Sequence, residues 1–292
     1  MARKIEKDHL DAYKKGGVLK LLFDVIQEDP ELSFEIRMNN EVMVYYHKDK
    51  ILTITMKDGK PKITILSNKY YKDGKKPTVC FDKEHLAHNL ICKTEMRTYF
   101  KEAKRMVYFN KMGAEFNVQQ NIALGNHTYD NRFLVVDMEW MFSQAGILKE
   151  ERISKTRIDL IVVDTKKDTE GYNDIYLAEL KLGLGATEGN SGTIDHVNKT
   201  KEIIDNERAC KSLFEDVANI IEQKEDLGLI KGTHKEFCFG KKPKMMLILA
   251  FRGEKEEKLL KAEAEKAKKE AVRIGMEEPI CIMHDALIQL KV

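Results

Sequence analysis

The sequence predicts a mixed α/β protein in two parts, with a helix and an antiparallel β-meander first and a larger region of helices and strands after them. Three observations lead to this prediction. Between residues 33 and 66, short runs rich in β-branched and aromatic residues are separated by turn residues. From Thr94 onward, helical and strand-like patterns alternate. Residues 245–251 form a nearly continuous apolar run, which is typical of a central strand covered on both faces.

The N-terminal part begins with apolar residues at helical spacing over 5–27, interrupted by a Gly-Gly pair, which predicts one helix or a helix pair. Four strand-like runs follow, and the turn residues between them predict an antiparallel meander. The polar stretch 72–77 is the best candidate for a boundary, so we place an accessory domain at residues 1–78 and a second domain at 79–292. The four runs are 33–37, 42–46, 51–55 and 62–66.

The second part is predicted to run in the order helix, three strands, helix, strand, helix, strand. A glycine-rich connection separates the third of these strands from one long helical region. The next helix carries lysines and glutamates at spacings of three or four, which indicates a solvated face rather than a binding patch. The predicted bounds are 94–111, 132–142, 157–164, 175–183, 193–225, 245–251, 254–273 and 279–283.

The composition limits the classes of function. Of the 292 residues, 42% are hydrophobic and 34% are charged, which indicates a globular chain with an ionic surface rather than a disordered one. No run approaches the ~20 apolar residues of a membrane span, and the N-terminus lacks the apolar core of a signal peptide, so we expect a cytoplasmic protein without membrane contact. The net charge of +2 excludes a strongly basic arm, so any nucleic-acid contact must come from local patches.

The cysteines predict neither a structural zinc site nor a disulfide framework. They are scattered singly, without a CxxC pair and without a histidine partner at zinc-ligand spacing. We expect most of them to be buried, reduced thiols. The five are Cys80, Cys92, Cys210, Cys238 and Cys281.

The residues that suggest chemistry lie on two neighbouring predicted strands. Glu179 and Lys181 are two positions apart, so a strand places them on the same face. If the preceding strand pairs with theirs in antiparallel fashion, Asp159 approaches the same place. Two carboxylates would bind a hard divalent cation, Mg²⁺ or Mn²⁺, beside one ammonium group, and this is the smallest set for metal-assisted phosphodiester hydrolysis.

A surface ion pair is the alternative interpretation of Glu179 and Lys181, and such a pair would contribute less than about 1 kcal/mol. Their apolar neighbours argue against it, because Leu177, Leu180 and Leu182 predict at least partial burial around the pair. Burying charged groups that serve no function would cost free energy in such surroundings.

This element order, with an aspartate on the second strand and Glu-x-Lys on the third, resembles the PD-(D/E)XK nuclease superfamily, which has the restriction-endonuclease-like fold. The resemblance covers about residues 94–292 and implies a mixed sheet flanked by helices. It implies that Asp159 and Glu179 bind the metal ion, with the peptide carbonyl of Leu180 as a further ligand. It also implies that Lys181 orients or activates the attacking water.

The resemblance leaves one ligand open and has one departure. Many members of the family place a glutamate on the first core helix, and Glu115 is the candidate here, with Glu95, Glu102 and Glu139 in competition. The family's proline before the aspartate is Ile158 in this sequence, but the proline makes no metal bond. DNA is preferred over RNA as the partner by analogy alone, and a homodimer is a further option.

Several flanking residues have two interpretations. Arg157 is either a phosphate contact or a plain strand-end charge. His196 and Lys199 lie near the start of a predicted helix, whose N-terminal amides could meet a phosphate backbone together with them. The alternative is ordinary capping of that helix by Thr193 or Asp195, with solvated lysines.

Other polar residues are expected to be less involved. Asp137 and Glu139 share a face of the first core strand and form either a minor metal ligand set or, as we favour, a solvent-facing edge. Gln119 and Gln120 are either polar contacts from the first core helix or, as we favour, solvent-exposed. Asp164 is expected at the end of its strand that is distant from the site.

Two basic segments could contact nucleic acid. Residues 57–76 and 93–111 interleave lysines and arginines with aromatic residues, a pattern that can track a backbone and stack bases. The alternative is a lysine-rich surface without a partner.

We therefore predict a Mg²⁺-dependent nuclease with an N-terminal domain that contacts substrate or partner. One rival is a non-catalytic module that binds nucleic acid or protein on the same fold. The other is a structural interaction protein dominated by the meander.

Overall fold

The structure is a computed structural model, and within the residues it describes the protein is mixed α/β with two sheets. One sheet has four antiparallel strands, and the other has five strands of mixed direction. The described residues are 3–47, 49–71, 92–110, 114–141, 157–184, 192–240 and 242–286.

The chain divides into two compact units. The first unit consists of Met1–Leu124 and Asp216–Ile230, and the second consists of Gly125–Glu215 and Lys231–Val292. The domain boundary predicted at residue 78 lies outside the described residues.

The first unit contains the predicted meander. Its four strands pair in sequence order, each antiparallel to the next. The opening helical segment is a pair of helices, because the chain turns at Gly16, whose φ of +87° is readily adopted only by glycine. The elements are α1 (Lys7–Ala12), α2 (Lys20–Glu28), β1 (Ser33–Arg37), β2 (Glu41–Tyr46), β3 (Asp49–Lys57), β4 (Lys60–Ile65), α3 (Lys93–Asn110) and α4 (Ala114–Gly125).

Two glutamines of α4 are buried, so the expectation that they are solvent-exposed is wrong. Gln119 and Gln120 are only 1% and 2% exposed. The side-chain amide of Gln120 accepts a hydrogen bond from the His47 N–H and donates one to the carbonyl of Glu31. Gln120 can be buried because these two backbone groups satisfy the hydrogen bonds of its amide, as buried polar groups require.

The second unit is built around the five-stranded sheet, in the order β5-β6-β7-β8-β9. The first three strands are antiparallel, and β7, β8 and β9 are parallel. The helix α6 is shared, since its residues from Asp216 onward belong to the first unit. The elements are β5 (Phe133–Met141), β6 (Arg157–Lys167), β7 (Asn173–Leu182), α5 (Thr193–Ile204), α6 (Glu207–Asp226), β8 (Lys244–Phe251), α7 (Glu254–Arg273) and β9 (Ile280–Asp285).

One face of the five-stranded sheet packs against α5 and α7. Leu247 and Leu249 of β8 form a buried cluster with Val197 of α5 and Leu260 of α7. In the parallel register Leu247 is the partner of Glu179 and Leu249 is the partner of Lys181. We call this side of the sheet the site face. The prediction that β8 is a central, buried strand is confirmed.

The predicted long helical region consists of two helices. The chain leaves the helical path at Asp205 and Asn206, between α5 and α6. The side-chain oxygen of Asn206 accepts a hydrogen bond from the Ala209 N–H at 2.8 Å, which is the usual arrangement of an N-cap asparagine.

The expectation that most cysteines are buried is wrong for the described ones. Cys210 is buried, Cys281 is half-buried, and Cys92 and Cys238 are exposed. All four are free thiols, and Cys80 lies outside the described residues. The exposed pair lie at the start of α3 and in an irregular segment, where the chain runs along the surface. None of the described helices combines the length and the hydropathy that a membrane-spanning helix needs.

Gly183 ends β7 in a conformation that disfavours other residues, with φ +72°. An added Cβ would lie 2.5 Å from Oε1 of Glu256, whose other oxygen accepts a hydrogen bond from the Arg252 N–H. We expect Gly183→Ala to lose about 1–2 kcal/mol of stability from the backbone and about 1 kcal/mol more from the displaced Glu256. Gly171 also has a positive φ, but nothing lies within 4 Å of its added Cβ.

Gly171→Ala is therefore the matched control for the backbone contribution. Urea unfolding of both variants should show the greater loss for Gly183→Ala. Equal losses would show that Glu256 moves aside freely.

Candidate active site

The predicted acidic residues of β6 and β7 lie together on the site face. The two strands are antiparallel, with Leu160 opposite Ala178. Continuing this register by one residue places Asp159 opposite Glu179, and opposite residues of an antiparallel pair project to the same face. Asp159 Oδ2 accepts a hydrogen bond from the Leu180 N–H at 3.0 Å, which holds the aspartate against β7.

Lys181 and Glu179 form a buried ion pair. The Lys181 Nζ lies 2.9 Å from Glu179 Oε1, and each side chain is only 7% exposed. The interpretation as a surface ion pair is therefore wrong, because strand alternation and the packing of α5 and α7 remove both groups from solvent. A buried pair of this kind is weak evidence for stability, since desolvation offsets the attraction.

His196 adds a second nitrogen to the same carboxylate. It lies in the first turn of α5, and its Nε2 is 3.1 Å from Glu179 Oε1. The residue predicted to contact substrate therefore contacts a site carboxylate in this structure. This contact had no local signal in the sequence, because it depends on how α5 packs on the sheet.

The start of α5 differs from both predicted capping arrangements. Gly192 occupies the N-cap position, so neither Thr193 nor Asp195 does. Asp195 instead pairs with Lys199 one turn later, at 2.6 Å. Lys199, predicted to bind substrate, is thus engaged along its own helix.

The electrostatics of Glu179 reflect its surroundings. Burial raises the pKa of this carboxyl above its ordinary value, and the nearby charge of Asp159 raises it further. The contacts with His196 and Lys181 act in the opposite direction but are smaller. The folded protein therefore disfavours two negative charges at this place when no further cation is present.

The raised pKa of Glu179 makes stability depend on pH. The folded state binds this proton more tightly than the unfolded chain, so the free energy of unfolding should fall as pH rises from the unfolded pKa through the raised folded pKa. Above that interval it should level off. We expect Glu179→Gln to gain stability relative to the wild-type protein as pH rises. Urea unfolding in metal-free buffer from mildly acidic to neutral pH measures this difference, and a constant difference would contradict the prediction.

The acidic residues of β5 are buried, so the prediction of a solvent-facing edge is wrong. Asp137 is 1% exposed and Glu139 is 7% exposed. Met138 pairs with Leu160, and Trp140 pairs with Ile158. Glu139 and Asp159 thus lie between the same two strand pairs. The sequence had offered Glu139 as one of four competing glutamates and, with Asp137, as a minor metal ligand.

Glu139 has an unusual backbone and a defined partner. Its φ is +56°, a left-handed conformation that non-glycine residues seldom adopt within a strand. Its Oε2 lies 2.6 Å from Nε of Arg157, the first residue of β6. Arg157, at the start of the strand, therefore has a buried carboxylate as its partner, and its own side chain is 53% exposed. Whether it contacts a phosphate stays a prediction.

Two further predicted residues have other positions in the fold. Asp164 lies towards the other end of β6, where it pairs with Arg132 at 3.1 Å, as expected for the distant end of the strand. Glu115 lies in the first turn of α4, within the first unit. Its role as a catalytic residue stays a prediction.

The donor chemistry at Asp159 and Glu179 fits a hard divalent cation. Both carboxylates are buried, and burial first and the charge of Asp159 second raise the pKa of Glu179; a bound cation would oppose both effects. Within the part of the chain that the structure describes, no group of three or more His, Cys, Asp or Glu side chains is spaced to hold a metal ion. Mg²⁺ keeps several waters and is commonly bound through one or two carboxylates, so the pair is sufficient.

The second unit thus brings Asp159, Glu179, Lys181 and His196 into one buried cluster, with Arg157 at the end of the neighbouring strand pair. The cluster gathers charged side chains within a largely apolar sheet, and titratable groups with perturbed pKa values are concentrated at functional sites. A function for it is inferred from these side chains, because the chain matches no protein-family model, no curated protein and no solved structure.

Proposed function

We propose that the second unit is a metal-dependent nuclease of the PD-(D/E)XK kind that hydrolyses phosphodiester bonds in DNA. The observation that carries the proposal is the convergence of Asp159, Glu179 and Lys181 from two adjacent antiparallel strands on one buried face. The mixed sheet, with helices α5 and α7 packed on that face, is compatible with the restriction-endonuclease-like arrangement.

Asp159 and Glu179 would hold the Mg²⁺ or Mn²⁺ ion, with the Leu180 carbonyl as a further ligand. When bound, the ion supplies charge neutralisation and an acidified water for attack on phosphorus. The Leu180 N–H keeps Asp159 in place, and the His196 ring and Lys181 hold the orientation of Glu179.

Lys181 has a second role during the reaction. Its ammonium group lies in a low-dielectric environment beside the carboxylates, where a fixed positive charge stabilises developing negative charge strongly. It would donate a hydrogen bond to the attacking water or to a phosphoryl oxygen. Arg157, whose side chain is 53% exposed, would contact a neighbouring phosphate.

A second candidate function is a non-catalytic binding module on the same scaffold. It is favoured by the contacts of Glu179, since one carboxylate oxygen already has both Lys181 and His196 as partners. In such a module these contacts would form a closed structural network, and a divalent cation would neither bind nor be required.

Incubation with circular DNA, linear DNA and RNA separates these candidates. The nuclease should cleave DNA with Mg²⁺ or Mn²⁺ and not with EDTA, and cleavage of the circular substrate would identify an endonuclease. Metal binding is measured separately, as a rise in melting temperature on addition of Mn²⁺. We expect Asp159→Asn to abolish that rise, because it removes one of the two carboxylate ligands of the metal ion.

Asp174→Asn is the matched control for metal binding. Asp174 lies on the same strand as Glu179 but pairs with Lys244 at 3.0 Å near the start of β7. This variant should retain the full Mn²⁺-dependent rise in melting temperature. Absence of cleavage together with absence of a metal-dependent rise in the wild-type protein would refute the nuclease and favour the binding module.

A further inference from the structure

We propose that Glu139 is a positioning residue that holds Arg157 as a clamp for a phosphate of the substrate backbone. The inference rests on the proposed function and deepens it, because it names how the same site would hold a nucleic acid. Arg157 precedes Asp159 by two residues on β6, so the two side chains share the site face. Glu139 on β5 and Asp159 on β6 both lie between the pairs Met138–Leu160 and Trp140–Ile158. The clamp therefore adjoins the carboxylates.

The nearest contact between Glu139 and Arg157 is made at the stem side of the guanidinium, and more than half of the Arg157 side chain is exposed. The carboxylate oxygen approaches Nε, at 2.6 Å. An arginine held at Nε can use its two terminal nitrogens for a phosphate, because their spacing matches two phosphate oxygens.

The positioning residue and the phosphate-binding residue differ in their exposure to solvent. The Glu139 side chain is 5% exposed, whereas that of Arg157 is 53% exposed. The buried carboxylate would anchor the guanidinium, and more than half of the Arg157 side chain is exposed to solvent, where a polyanion can approach. Glu139 itself would touch no substrate.

A second arginine of the same strand pair provides an internal comparison. Arg132 contacts Asp164 through both Nε and Nη2, at 3.2 and 3.1 Å, and its side chain is 58% exposed. Asp164 lies five residues along β6 from Asp159, a distance of about 17 Å at the usual rise of a strand. Arg132 is thus also an exposed arginine paired with a buried carboxylate, but it is remote from Asp159 and Glu179.

The test is the affinity for a fluorescein-labelled DNA duplex, measured by fluorescence anisotropy in Ca²⁺ and in EDTA, with gels to verify that the duplex stays intact. Arg157→Ala should weaken binding about tenfold, as loss of a phosphate contact does. The slope of log affinity against log salt concentration should become shallower by about one. Arg132→Ala should bind as the wild-type protein does.

Glu139→Gln is the decisive variant. It removes a negative charge near a polyanion, so electrostatics alone predicts tighter binding. A positioning role predicts weaker binding by several-fold, because the neutral amide no longer fixes the guanidinium. In an Arg157→Ala background the same substitution should cause no further loss, since the two residues act as one unit.

Arg157→Lys keeps the test decisive even if Glu139→Gln fails to fold. An ammonium group cannot bind Glu139 through one nitrogen and a phosphate through two others, so this variant should lose most of the affinity that Arg157→Ala loses. Wild-type affinity in Arg157→Lys, unchanged or tighter binding in Glu139→Gln, or no binding of the duplex by the wild-type protein would overturn the inference. Circular dichroism reports whether each variant folds.

The outcomes also separate the inference from the nuclease proposal. A wild-type protein that cleaves DNA, with variants of Glu139 and Arg157 that bind normally, would refute the clamp and leave the nuclease standing. A protein that shows the predicted binding pattern but does not cleave DNA with either Mg²⁺ or Mn²⁺ would refute the nuclease. The clamp would then remain as part of a binding module.

Discussion

Lys181→Met is expected to lower the rate of DNA hydrolysis by at least about 100-fold and to leave the protein folded. Methionine retains the buried aliphatic stem and removes only the ammonium group. That group lies 2.9 Å from Glu179 in a site where each side chain is 7% exposed, so bulk solvent cannot replace its charge. The measurement is single-turnover cleavage of DNA with Mn²⁺, with circular dichroism to verify folding.

The control for this prediction is Lys244→Met. Lys244 lies on the neighbouring strand β8, opposite Tyr176, and pairs with Asp174 rather than with a site carboxylate. The variant should cleave at the wild-type rate. If Lys181→Met is folded and as active as Lys244→Met, Lys181 has no role in the chemistry.

Glu35→Ala is expected to destabilise the first unit by about 3–5 kcal/mol, because it leaves the ammonium of Lys224 buried without its carboxylate. Lys224 Nζ lies 2.7 Å from Glu35 Oε2, and the side chains are 10% and 4% exposed. The pair joins β1 to the end of α6, across 189 residues of sequence. Urea unfolding measures the loss.

Two comparisons make this prediction specific. Asp226→Ala removes an exposed pair between α6 and the N-terminal segment, in which Lys14 is 36% exposed and Asp226 is 45% exposed, and should lose less than about 1 kcal/mol. The double variant Glu35→Leu, Lys224→Met should recover most of the stability, because apolar residues of similar volume remove both buried charges. A loss in Glu35→Ala no larger than that in Asp226→Ala would show that Lys224 reaches solvent.

Much of the local structure could be predicted because the responsible signals are local. The four strands of the meander follow from runs of β-branched residues between turns, and the bounds of α7 follow from its charged helical repeat. The cap at Asn206 also had a local signal, an asparagine three residues before Ala209, which the long helical pattern around it obscured.

Burial of the polar residues outside the Glu179–Lys181 pair could not be predicted, because it depends on partners distant in sequence. Gln120 is buried through hydrogen bonds to His47 and Glu31, more than seventy residues earlier in the chain. Asp137 and Glu139 were expected at an exposed edge, and both lie in the interior. A polar residue can be buried where other groups of the protein satisfy its hydrogen bonds. The local sequence does not indicate which distant groups will do so.

The sequence by itself determined that Glu179 and Lys181 share a face, because side chains of a strand alternate with a period of two. Only the tertiary structure placed Asp159 opposite Glu179, brought His196 to the same carboxylate and gave Arg157 the buried partner Glu139. The physical reason is that alternation is a property of one strand, whereas register, helix packing and desolvation arise between segments that meet only when the chain folds.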